Sequence, residues 1–196
     1  MQNILLSPVK ENYTFFKWAT ALALITIFYN FLEGAVSVLF GVEDETVTLF
    51  GFGVDSFVEV ISGIGIWHMI KRMQKNSYES HDRFEKTALK VTGTAFYILS
   101  AGLTITSVIS VYKGYKPETT VWGIIVAIIS ILTMRVLIQY KLKIARRFNS
   151  KALLADAAYS RTCLYLSIVL LIASVGYQVT GIGLVDSLGA VGIAIF

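Results

Sequence analysis

The sequence predicts an all-α, polytopic membrane protein with six transmembrane helices. Three observations predict it. Of its 196 residues 55% are hydrophobic and 15% charged, with a mean hydropathy of +0.67, too apolar for an ordinary soluble domain. Its apolar stretches repeatedly reach the roughly 20 residues that a spanning helix needs. Its lysines and arginines are gathered into two connecting segments, the arrangement that sets membrane topology. The same numbers exclude other classes. A net charge of +4 reflects loop basicity rather than nucleic-acid binding. The single cysteine, Cys163, rules out an intramolecular disulfide framework. No P-loop, HExxH, nucleophile with a nearby base or cofactor fingerprint is present, so an enzyme is not expected.

The chain opens with a tail, 1–16, carrying Pro8, Lys10 and Glu11; it has no long apolar core or small-residue cleavage site and does not read as a signal peptide. A single transmembrane domain, 17–196, follows, with spans expected at 18–41, 47–70, 88–112, 119–140, 152–177 and 181–196. The first span contains Asn30 and Glu33 and ends at the acidic turn GVEDET, read as a solvated loop. The second carries Asp55 and Glu59 and leads into the basic segment KRMQKNSYESHDRFEK. Its histidines, His68 and His81, fall at the cytoplasmic end and in the loop, where a solvated or interfacial role is expected. Lys90 on the third span and Arg135 on the fourth lie near the cytoplasmic ends and can snorkel. The fourth span runs into a second basic segment, KLKIARRFNSK. Asp156, Tyr159, Ser160, Arg161 and Cys163 sit on the fifth, and Asp186 on the sixth, which runs to the last residue with no soluble C-terminal domain after it. The two basic loops place both termini in the cytoplasm; Lys113 and Lys116 in KGYKPE do not outweigh them.

The chemistry concentrates at Asp55 and Glu59. A charge at the bilayer centre costs about 2.5 to 3.5 kcal/mol on insertion scales, and such residues mark ion or proton pathways. At i and i+4 they share one helix face with Cβ atoms about 5 to 6 Å apart, close enough to converge on one small cation. The clearest cationic partners for a purely structural reading, Arg135 and Arg161, lie on other helices. Tyr159 and Cys163 repeat the same spacing on the fifth span.

Together GFGVDSFVEVISG, the basic loop after it, RFEKTAL, SKALLADAAYSRTCLYLS and LVDSLGAVGIAI resemble the cation diffusion facilitator family, six-helix divalent-metal transporters that are commonly zinc/proton antiporters. The resemblance covers nearly the whole chain and implies the cation-efflux transmembrane fold. It implies metal ligands at Asp55, Glu59, Tyr159 and Cys163. The usual fifth-helix pair is His then Asp, and this chain has neither. A neutral phenol, with a reference pKa about 10, is a poor zinc ligand, whereas a thiolate suits zinc or cadmium. Asp156 matches the family's Ala-Asp pair and Asp186 an acid of its last helix; with Asn30 and Glu33 they are expected behind the ligands or as a gate, or as hydrogen-bonding groups between helices.

The resulting expectation is a multi-pass protein of the plasma or inner membrane. It exports a divalent metal, zinc favoured and cadmium, manganese or iron as other cargoes, in exchange for protons by alternating access. Two alternatives stand beside it: a non-transporting metal-sensing or regulatory subunit, and a proton-coupled small-solute exporter. A homodimer would have to form through the membrane helices, where SGIG at 62–65 and GIGLVDSLGAVG at 181–192 permit close packing.

Overall fold

A computed structural model describes residues 7–75, 81–114, 116–118, 120–148 and 151–195. Among them the elements are helices: α1 (Ser7–Glu43), α2 (Val47–Lys75), α3 (His81–Lys113), α4 (Val121–Phe148), α5 (Lys151–Thr180) and α6 (Gly183–Ile195). With no water in the hydrocarbon layer, a helix satisfies its own backbone groups and is the element such sequences must form. Among the described residues four helices are long and apolar enough to cross a membrane, over 17–43, 47–72, 121–147 and 156–180. The third span is part of the 33-residue α3. The sixth is shorter than a full crossing: 13 residues cover about 20 Å at 1.5 Å per residue.

The helices extend beyond the apolar spans. α1 begins within the expected tail, at Ser7, while residues 1–6 lie outside the described set. α2 continues to Lys75 and α4 through Phe148, so much of both basic segments is helix. Lysine and arginine are good helix formers, and a helix leaving the membrane has no reason to stop while its backbone bonds continue.

The turn GVEDET closes α1. Thr46 N–H donates to Gly41 O at 2.9 Å and Glu45 N–H to Val42 O at 3.4 Å, a Schellman arrangement with Glu45 in the left-handed region at φ 54°. α1 and α2 then run back against each other with little between them. A Cβ added at Gly41 would lie 2.5 Å from Phe50 N and 2.7 Å from its Cα.

α2 is the hub, touching α1, α3, α5 and α6, while α4 packs chiefly on α5. Leu49, Phe52 and Val58 of α2 meet Val126 and Ala127 of α4, Leu166 and Leu170 of α5 and Ile193 of α6 in one core cluster. A second, toward the end of the bundle that carries the basic segments, joins Ala19, Ala23, Ile66, Met69, Ile70, Ala145 and Leu153. Outward faces are apolar, as at Phe28, Leu39, Leu132 and Ile172, and the buried polar groups lie between helices. That inversion suits a protein whose solvent is lipid.

Candidate metal centre

On α2, Asp55, Ser56 and Glu59 are buried, with Glu59 at 0% exposure. On α5 the buried positions Leu153, Asp156, Ala157, Ser160, Cys163, Leu166 and Ser167 recur at three- and four-residue spacing and define the inward stripe. The α2–α5 contact brings the two polar sets together at mid-helix.

Asp55 faces the expected fifth-helix pair. Its Oδ1 accepts from Tyr159 Oη at 3.2 Å, and its Oδ2 accepts from Cys163 Sγ at 3.4 Å. Three of the four expected ligands therefore meet. Glu59 is turned to other company: its Oε1 accepts from Ser160 Oγ at 2.6 Å and lies 3.4 Å from Lys141 Nζ. Among the described residues no three His, Cys, Asp or Glu side chains are grouped to hold a metal ion. The physical reason is visible in these contacts. The two α2 carboxylates share a helix face and both accept from α5 donors, but different ones, and Glu59 alone of the two also faces the Lys141 ammonium of α4.

Lys141 is the group that sequence reasoning missed. Counted as the first residue of a basic loop, it is instead 5% exposed inside α4. Its ammonium also donates to Ser160 Oγ at 2.7 Å and pairs with Asp156 Oδ2 at 3.1 Å. Lys141 falls on the buried face of α4 with Ala127, Ser130, Met134, Leu137, Ile138 and Ala145, but the outward face, with Ile125, Ile128, Ile129, Leu132 and Val136, is equally apolar, so the sequence does not mark which face is inward. The cations weighed instead, Arg135 and Arg161, are exposed, as are Lys90 and His68. His81 is the first residue of α3.

The surrounding acids separate into different roles. Asp156 is the second carboxylate paired with Lys141. Glu33 sits beside the α2 site, accepting from Tyr29 Oη at 2.7 Å and from Ser56 Oγ at 3.1 Å. Asn30 is fully buried one turn earlier, and neither of its amide atoms has a hydrogen-bond partner. Asp186 lies at the far end of α2, accepting from the backbone N–H of Val47 at 2.9 Å and of Thr48 at 3.3 Å, while Thr48 Oγ1 donates to the Asp186 carbonyl. It caps the α2 N-terminus, eight residues or about 12 Å before Asp55.

Chemically, a carboxylate beside a thiol and a phenol can hold a divalent cation once the thiol gives up its proton. The donor set mixes one hard oxygen anion with one soft sulfur.

Residues 19–196 match the family model described as the cation efflux transmembrane domain. The chain is 26% identical over 153 residues to an uncharacterised transporter of Methanocaldococcus jannaschii, covering 76% of this chain and 54% of that protein. It is 26% identical over 140 residues to the manganese efflux system protein MneP of Bacillus subtilis, covering 69% of this chain and 46% of that protein. The chain thus spans about half the length of these curated relatives.

Proposed function

This chain belongs to the cation efflux family, the cation diffusion facilitators, and on that premise we propose that it carries a divalent metal cation across the membrane, exporting it from the cytoplasm in exchange for protons. The observation that carries this reading is the meeting of Cys163 Sγ and Asp55 Oδ2 at 3.4 Å across α2 and α5, fully inside the bundle. A thiol and a carboxylate placed together within a membrane domain offer a cation two anionic ligands at one point, with Tyr159 Oη beside them.

Zinc is the favoured cargo. Manganese wants hard oxygen ligands, whereas the set around Asp55 holds the sulfur of Cys163, which suits zinc or cadmium. The manganese reading rests on a specific observation of its own, the name of the Bacillus subtilis relative. Binding balances as an exchange: the metal–sulfur bond forms as the S–H bond breaks, and that proton leaves toward the face from which the metal entered. Metal-loaded and proton-loaded forms then favour opposite faces of the membrane, which is the requirement for antiport. The reading includes both termini in the cytoplasm, a single membrane domain in this stretch of chain, and a homodimer formed through membrane helices.

The test is metal flux into proteoliposomes for zinc, cadmium, manganese and iron, with and without a pH gradient. Flux is expected to follow the gradient and to be lost with Asp55→Ala. Cys163→Ala is expected to cut zinc and cadmium flux at least tenfold while sparing manganese, since only the soft metals lose their preferred ligand. Folded, reconstituted protein that moves none of the four metals would defeat the proposal.

A further inference from the structure

Lys141 is an unusual occupant for the interior of a cation carrier. Its three ammonium hydrogens face three acceptors on two other helices: Ser160 Oγ at 2.7 Å, Asp156 Oδ2 at 3.1 Å and Glu59 Oε1 at 3.4 Å. The hold on Glu59 is the longest of the three. Each carboxylate also keeps one buried oxygen, Glu59 Oε2 and Asp156 Oδ1, with no hydrogen-bond partner. Such half-satisfied anions are costly in a low-dielectric interior unless something else binds them at another stage. Beside the ammonium is a cavity of about 20 Å³, lined by Lys141, Asp156, Ala19, Ala23, Leu22 and Leu153 among others. It is wide enough for a water or for a small swing of the lysine tip.

From this geometry we propose that Lys141 is a tethered cation: in the metal-free carrier its ammonium takes the place of cargo at Glu59, and metal entry moves it onto Asp156, freeing Glu59 to close on the metal beside Asp55. The inference rests on the transport reading above. Asp55, Glu59 and Asp156, taken as anions, and Lys141, taken as a cation, together leave two negative charges for a divalent ion to offset. The ammonium bridges α4 to α2 and α5, so its position couples cargo occupancy to the arrangement of three helices. It also lets the empty carrier return with Glu59 already compensated.

The experiment compares wild type with Lys141→Gln and with the double variant Lys141→Gln/Asp156→Asn, which removes the pair without leaving Asp156 as a lone buried charge. Three quantities are read: zinc affinity by calorimetry in detergent, net zinc flux into proteoliposomes, and isotopic zinc–zinc exchange across the same membranes. Both variants, eluting as monodisperse folded protein, are expected to bind zinc about tenfold tighter or more, because a competing cation has been removed. Net flux is expected to fall about tenfold, since the empty carrier must now cross with Glu59 uncompensated. Exchange, in which the loaded carrier alone moves, is expected to stay near wild type. That split is what a merely structural brace cannot produce. If net flux and exchange fall together, or if affinity and both rates stay at wild-type values, Lys141 is not a tethered cation. A wild type that carries no metal overturns the transport reading and this inference with it; a wild type that carries metal, with variants lacking the split, overturns the inference alone.

Discussion

Asp55 and Glu59 stand one helical turn apart and end in different chemistry, the first among hydrogen-bond donors of α5 and the second against the Lys141 ammonium. Spacing along α2 was readable, because period 3.6 puts both on one face. Which neighbour each meets depends on rotations of α4 and α5 that local sequence does not encode. Tyr159 illustrates the limit: it repeats the spacing to Cys163, yet Ser160 on the inward stripe is the residue that reaches Glu59. Outside the spans, Asp44 offers a test at the same scale. Burial, with Glu43 and Glu118 adding like charge, pushes its carboxyl above the usual carboxylate range, and its Oδ2 has no hydrogen-bond partner. A carboxyl raised on folding is most stabilising when neutral, so its contribution is full below the unfolded pKa, about 3.9, and is lost as pH rises through the folded value. Asp44→Asn is therefore expected to raise the thermal midpoint in detergent at neutral pH, with the gain shrinking toward about pH 4. A gain that is constant across pH, or absent, would contradict it.

Elements were legible as apolar runs, and their ends were not. α4 outruns its expected span because the bilayer edge does not end a helix; only capping or a breaker does. The reverse holds where α1 stops: Glu45 accepts a left-handed backbone to let the chain turn back at once, and Gly41 lets α2 come within van der Waals distance. Gly41→Ala would put a methyl 2.5 Å from Phe50 N, backbone that cannot move aside. It is expected to destabilise the protein by about 1 to 3 kcal/mol, read from denaturant or thermal unfolding, despite alanine's better helix propensity. Asp186 makes the complementary case. Its carboxylate holds the first N–H groups of α2, so Asp186→Ala is expected to cost about 1.5 to 3 kcal/mol, the range for hydrogen bonds to a charged group. Metal preference in flux assays should be unchanged, because the residue acts on α2's end and not on Asp55. A shift in metal selectivity would instead place Asp186 on the ion path.

For the whole molecule, a ligand that binds only the folded state stabilises it in proportion to the logarithm of its concentration. Zinc at a hundred times its dissociation constant is expected to stabilise the wild type by about 2.7 kcal/mol and Asp55→Ala not at all, measured as thermal shift in detergent. Equal shifts in both would show that the metal binds elsewhere. The sequence alone determined that this chain is an all-helical membrane domain and where most of its apolar spans run, and it singled out acids on the second and fifth spans as the candidates for its chemistry. Hydropathy and helical period are local properties, and the cation efflux family match over residues 19–196 agrees with them. Only the tertiary structure decided that Lys141 is inside the bundle, that it claims Glu59 and Asp156, and that Asp186 caps the α2 N-terminus. Those outcomes turn on which faces of α2, α4, α5 and α6 meet, and a charge reads the same in sequence whether its helix turns it to water or to the core.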